Sequence, residues 1–358
     1  GVNPGTIVPQ RAAVIRGQVL NKSGDPLSGV SIKIQNHPEY GLTFSRADGW
    51  FDLAVNGGGF LIIDYEKAGY IKAQRPVDVP WQDYVFAETV VMISLDPQVT
   101  PVNLTLSNVQ VARGTPQTDV DGTRQATLLF MPGTTAEIVL PDGSLQPTTN
   151  LNIRATEYTV GDLGPQRMPA PLPPTSGYTY AVELSADEAL DFGASGIQFD
   201  QPVIFYVENF VGFSVGGPVP VGIYDRKTAQ WKASENGLVI EVLNVVNGLA
   251  ELDVRGHGMP ATEAEYTEFD ITEDERQIIA NLYAPETSLW RVPVKHFSPI
   301  DCNWPVEPPE DAEEHKEEEP EEEDEKDDDD CEQSGASVIE CKNQILGESI
   351  PVAGTPFT

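Results

Sequence analysis

Short runs with an apolar residue at every second position, each closed by a tight turn, fill the N-terminal part of the sequence. Residues 13–19 (Ala-Val-Ile-Arg-Gly-Gln-Val) and 29–34 (Gly-Val-Ser-Ile-Lys-Ile) are the clearest. A period of two puts alternate side chains on one face, which predicts half-buried strands and not helix. The joining residues Lys22-Ser23-Gly24-Asp25-Pro26 supply a glycine for positive φ and a proline for a fixed one. Further strands are predicted at 43–45, 50–55, 60–65 and 88–93, with a turn at Ala47-Asp48-Gly49. Roughly seven short strands in so short a stretch read as a β-sandwich.

The turn and strand residues carry a resemblance. Gly17-x-Val19, Gly24-Asp25-Pro26-Leu27-x-Gly29-Val30-x-Ile32, Asp48-Gly49-x-Phe51-x-Leu53 and Tyr65-x-Lys67-x-Gly69-Tyr70 resemble a carboxypeptidase-regulatory, transthyretin-like domain. That resemblance implies a small prealbumin-type sandwich without an active site.

Strand signals resume beyond residue 98, at 126–130, 136–140, 151–155, 202–207 and 239–243. One helix is expected, because Thr272-Glu273-Asp274-Glu275 has the capping-box pattern and leads into an amphipathic run ending before Pro285. Val111-Ala112-Arg113-Gly114, Asp119-x-Asp121-Gly122-x-Arg124-Gln125-Ala126-Thr127, 154–161, 173–180, Tyr206-Val207-Glu208-Asn209-Phe210, Tyr224-Asp225-Arg226 and 347–357 resemble the plug segment of large bacterial RHS/YD-repeat proteins, of the teneurin-like or toxin-delivery type. The YD repeats themselves are absent from this sequence. The resemblance implies a structural module that caps or plugs a downstream repeat shell of the same polypeptide, on a secreted or surface protein.

Charge is unevenly distributed. The chain carries a formal −34, and residues 307–332 hold 18 acidic residues against two lysines. Like charges at that density repel, so this stretch is expected to be a disordered linker; calcium buffering is its other reading. An acidic surface excludes nucleic acid and anionic membranes as partners, and no run is long and apolar enough to span a bilayer. Because the sequence starts at Gly1, a start is expected to be missing or removed. The three cysteines fall at 302, 331 and 341; Cys331 and Cys341 are candidates to pair, and no C-x-x-C spacing suggests zinc.

Candidate chemistry is sparse, and no cofactor is expected beyond weak calcium. Asp119-Val120-Asp121-Gly122 opens like a calcium loop, but its twelfth position is Phe130 where a glutamate is needed, so a hairpin turn competes with a calcium site at Asp119 and Asp121. Four histidines (37, 257, 296, 315) form no i, i+4 pair. Val294-Lys295-His296-Phe297-Ser298 resembles the self-cleavage site of ZU5-type domains and of the autoproteolytic nucleoporin. There Ser298 would attack the Phe297 carbonyl with His296 as base, by an N→O acyl shift followed by hydrolysis. A last strand with Phe297 buried is the other reading, and Pro299 stiffens the position that follows. Trp50, Tyr70, Trp81 and Tyr84 are contact candidates if the chain binds a glycan or protein receptor, with core packing as the preferred alternative.

The reading is an all-β chain and not an enzyme: a β-sandwich over 13–97 after a short extension (1–12), a larger β-rich, ZU5-like plug with one short helix over 98–303, an acidic linker (304–332) and a lead-in to the repeat shell (333–358).

Overall fold

In strand β1 (Ala12–Leu20) the side chains of Ala13, Ile15 and Val19 are buried while Val14 and Arg16 face solvent, so the alternation in the sequence becomes one wet and one dry face. The first module continues through β2 (Ser31–Ile34), β3 (Leu42–Phe44), β4 (Trp50–Asn56), β5 (Gly59–Glu66), β6 (Ala73–Val79), β7 (Tyr84–Phe86) and β8 (Val90–Val91). One sheet has the order β4-β1-β7 with β8 also on β1; the other is β3-β2-β5-β6. Their inner faces enclose Ile15, Val19, Ile32, Phe51, Ile63 and Tyr65. Gly17 makes this packing possible, because a Cβ there would lie 2.7 Å from the Phe51 ring. At the 47–49 turn, Gly49 takes φ +77° and a Cβ would sit 2.5 Å from the Val19 carbonyl oxygen.

This computed structural model describes residues 2–304 apart from 162, 174, 175 and 195. The acidic run, the Cys331/Cys341 pair and the 333–358 lead-in lie outside the described residues.

The region after residue 98 is a three-layer stack. A nine-stranded sheet has Gly196–Glu208 and Thr287–Phe297 at its centre, flanked by Thr127–Phe130 and Gly237–Val246. A six-stranded sheet runs Gln230–Ala233, Gly222–Asp225, Pro299–Asp301, Ala181–Ala186, Asn150–Glu157, Thr100–Asn103. Between them lies a core that includes Phe130, Leu184, Phe205, Trp290 and Phe297. The opposite face of the large sheet is covered by helices Glu263–Glu268 and Glu273–Leu282, through Ile240, Leu252, Tyr266, Ile279 and Leu289. Burial on both faces explains why the central strands lose the clean alternation of β1.

The fold is all-β, as the sequence indicates, but with four short α-helices among the described residues and not one. At Glu273–Leu282, Thr272 caps as expected by accepting from the Glu275 amide. The reciprocal half of the box is missing, because the Glu275 carboxylate instead accepts from Tyr206 and Arg291. A complete capping box sits one helix earlier, where Thr262 and Glu265 bond to each other's backbone amides.

Candidate functional site

The His-Phe-Ser tripeptide occupies the point where the chain changes sheets. Thr287–Phe297 belongs to the large sheet and Pro299–Asp301 to the small one, so Ser298 is the corner of the sandwich. Phe297 is the anchor, 3% exposed and packed edge-on against Phe199 at 4.8 Å. His296 is half-buried, and burial pushes its pKa below the ordinary 6.5. No hydrogen bond joins His296 to Ser298; the Ser298 hydroxyl donates to the Pro299 carbonyl at 3.3 Å. Neither Phe297 nor Ser298 adopts a positive φ. One requirement of self-cleavage, a base hydrogen-bonded to the hydroxyl, is therefore not assembled here.

Asp119 and Asp121 flank the tip of a hairpin made by Gln117–Asp119 and Gly122–Arg124, with Gly122 at φ +132°. Both Asp119 oxygens accept from Arg124, at 2.7 and 2.8 Å, and that bond holds its carboxyl below the usual range. Arg124 also grips Glu157 at 2.6 Å and lies over the Phe210 ring. A calcium ion at Asp119 would have to displace a buried guanidinium, and Asp121 only donates its amide back to Asp119. The geometry is that of a hairpin stapled to the sheet.

The most elaborate polar construction lies where the first module meets the region after residue 98. Arg75, fully inside, donates to the carbonyls of Gln166 (2.8 Å), Met168 (3.1 Å) and Pro169 (3.3 Å). Beside it the Gln74 amide nitrogen bonds Asp64 at 2.7 Å and the Arg226 carbonyl at 3.1 Å, while its oxygen accepts from Tyr224 at 2.6 Å. Arg226 returns the contact, donating to the Lys72 carbonyl and to Glu183, both at 2.8 Å, and Glu183 accepts from Tyr158. Ile71, Ile93, Tyr158, Met168 and Ala181 form a small apolar core behind this clasp. Asp96 fixes the connecting segment, its carboxylate accepting from Thr115 and Gln98 and its carbonyl from Arg154.

Sequence reasoning gave none of this. β6 carries Arg75 and Pro76 in mid-strand and reads as loop, since the carbonyls that satisfy the arginine lie some ninety residues away. The aromatic contact candidates also differ from expectation. Trp50 and Tyr70 are half-buried, but Trp81 and Tyr84 are 51% and 55% exposed and were expected in the core. Tyr84 lies edge-to-face with exposed Phe86, which in turn meets Trp50. These rings rise from the outward face of β1, β4 and β7, a sheet that nothing among the described residues covers.

Comparison with known proteins bears on this first module. Residues 7–92 match the family model described as the Teneurin TTR-like domain. The first module is of the teneurin transthyretin-like type. Human Teneurin-4 is 44% identical over 81 residues, which is 23% of this chain and 3% of that protein. Fruit-fly Teneurin-m is 42% identical over 87 residues, 24% of this chain and 3% of that protein. The chain thus spans only a few per cent of the length of these curated relatives, which are animal proteins and give no support to a bacterial source. A solved structure, the major pilin SpaD of Corynebacterium diphtheriae, covers 67% of this chain and 70% of its own at 13% identity, with a TM-score of 0.21 that is too low to argue from. No helix among the described residues is long and apolar enough to cross a membrane.

Proposed function

We propose that the chain is a non-catalytic structural module of a secreted or cell-surface protein, its transthyretin-like module locked to the β-rich region so that together they cap or plug a downstream YD-repeat shell. The junction carries this reading. Modules in one chain move relative to each other by default unless their interface is extensive, and here Arg75, Gln74, Tyr224 and Arg226 tie the two together. A fixed unit suits an element that closes the end of a larger assembly. The shell as partner rests on the sequence resemblance. Residues 1–303, expressed as a separate piece alongside the YD-repeat segment of the same polypeptide, should copurify with it in equal amounts; failure to associate overturns the capping role.

A second reading, a receptor- or glycan-binding surface, is favoured by the exposure of Trp81, Tyr84 and Phe86. A glycan array would show saturable binding that Tyr84→Ala and Phe86→Ala remove. Self-processing has no comparable support, since no hydrogen bond joins His296 to Ser298. Intact-mass measurement should give one species, with Ser298→Ala shifting it only by the substituted atom. Two fragments meeting between Phe297 and Ser298 would reverse that conclusion.

A further inference from the structure

Beside the polar clasp the two modules leave a cleft of about 930 Å³, in the size range of small-molecule sites. Its two walls differ in chemistry. The region after residue 98 contributes an apolar wall on which Val139, Pro141, Leu190 and Ala194 are half-buried or exposed. The other wall carries Lys67 and Lys72 from the segment between β5 and β6, with Arg226, Lys227 and Lys232 beside them. Residues 1–303 hold 19 Lys and Arg against 36 Asp and Glu. The cleft reverses that ratio, with five cations against the four carboxylates of Asp64, Glu66, Glu183 and Asp225.

Those carboxylates are already engaged. Glu183 accepts from Arg226 and Tyr158, Asp225 from Lys232, Glu66 from Lys33 and Lys72, and Asp64 from Gln74. The Lys67 ammonium donates only to the Ser28 carbonyl, and the Lys227 ammonium meets no carboxylate among the described residues, although the Lys227 amide donates to Asp225. On the apolar side the buried Ser185 hydroxyl lines the cleft without a hydrogen-bond partner among the described residues. The cleft therefore combines an apolar wall, two uncompensated ammonium groups and an unused hydroxyl.

We infer that the cleft binds a small amphiphilic anion: an apolar body laid along Val139, Pro141, Leu190 and Ala194, with one carboxylate or sulfonate held by Lys67 and Lys227. The charge contrast makes binding strongest at low ionic strength, where the lysine field is least screened.

The test uses the whole chain with two probes, dodecanoate and 8-anilinonaphthalene-1-sulfonate. Dodecanoate should bind at one saturable site by calorimetry and displace the fluorescent sulfonate, whereas dodecanol should not. The double substitution Lys67→Glu, Lys227→Glu should weaken dodecanoate by about tenfold or more, and Leu190→Asp should weaken it comparably, both with the thermal midpoint of the parent. Lys67 and Lys227 are partly or fully solvated and Leu190 is 42% exposed, so these variants leave the core untouched. Unsaturable binding, equal competition by dodecanol, unchanged affinity in both variants, or binding to anionic phospholipid vesicles without binding of free dodecanoate would each overturn the proposal.

Discussion

Two tyrosine–carboxylate–arginine triads lie in the β-rich region, one beneath its helices and one at the junction with the first module. In the first, Glu275 accepts from Tyr206 and from Arg291, and Arg291 also donates to the carbonyls of Phe269 and Asp270. In the second, Glu183 accepts from Tyr158 and Arg226, and Arg226 donates to the Lys72 carbonyl. The chemistry is the same and the surroundings are not. The Glu275 and Arg291 side chains are 0% and 6% exposed, against 11% and 23% for Glu183 and Arg226. A buried pair is costly to break because the surviving charge has no water to turn to, whereas a partly wet pair relaxes into solvent. The inner triad docks a helix on a sheet permanently. The outer one holds Arg226 where it donates to the Lys72 carbonyl of the first module, and each module has a core of its own.

The largest effect is expected at the inner triad. Glu275→Ala strands the Arg291 guanidinium and frees the N-terminal turn of Glu273–Leu282, and should cost about 3–5 kcal/mol in urea unfolding. A loss below roughly 1 kcal/mol would show that the remaining carbonyl partners satisfy Arg291 alone, and the distinction drawn between the triads would fail.

Asp301 sharpens the contrast by showing a buried carboxyl that lacks a guanidinium. It has only the Asn303 amide at 2.9 Å and nearby backbone, and burial pushes its pKa up to about 6. The unfolded chain releases this proton near pH 4 and the folded one near 6, so stability falls as pH rises between those values and the loss is complete above about 6. The amount is on the order of 2–3 kcal/mol. Asp301→Asn should therefore show a flatter stability profile than the parent from pH 4 to 7 by chemical denaturation. Parallel profiles would mean that Asp301 ionises alike in both states.

How far the sequence anticipates these features depends on where each residue finds its partners. β1, β4 and β5 are legible because a period of two and a nearby glycine turn are local signals, and the Asp48-Gly49 turn is set by its own φ. The Thr272 cap is legible for the same reason. The partner of Glu275 is not, since Tyr206 and Arg291 come from distant strands that meet only when the large sheet forms. The Phe297-Ser298-Pro299 segment looks like one continuing strand, and only the pairing of Pro299–Asp301 with Ala181–Ala186 reveals the corner. Core packing is the preferred expectation for Trp81 and Tyr84, but Tyr84 stands on a three-residue edge strand directed by which face its sheet leaves open, and Trp81 lies in the loop before it. The clasp residues Gln74, Arg75, Tyr224 and Arg226 have no local signature at all. They are polar groups whose partners belong to another module.

The smallest effect is expected at the outer triad, where its form matters more than its size. Arg226→Ala removes the bonds to Glu183 and to the Lys72 carbonyl, but the site is nearly a quarter exposed and Glu183 keeps Tyr158. Solvent screening limits the loss to about 1–2 kcal/mol. The share of that loss carried by the Lys72 bond falls on the coupling between modules, since the first module encloses its own set of apolar side chains. Calorimetry of the parent should therefore show the two modules unfolding together, and the variant should resolve into two transitions. Raising the salt concentration should move the parent toward the same behaviour, while a protein carrying only the inner triad's interactions would be indifferent to it. If Arg226→Ala keeps a single transition at the parent midpoint, Arg75 and its three carbonyls hold the junction without help. Arg75→Met would then be the substitution that separates the modules.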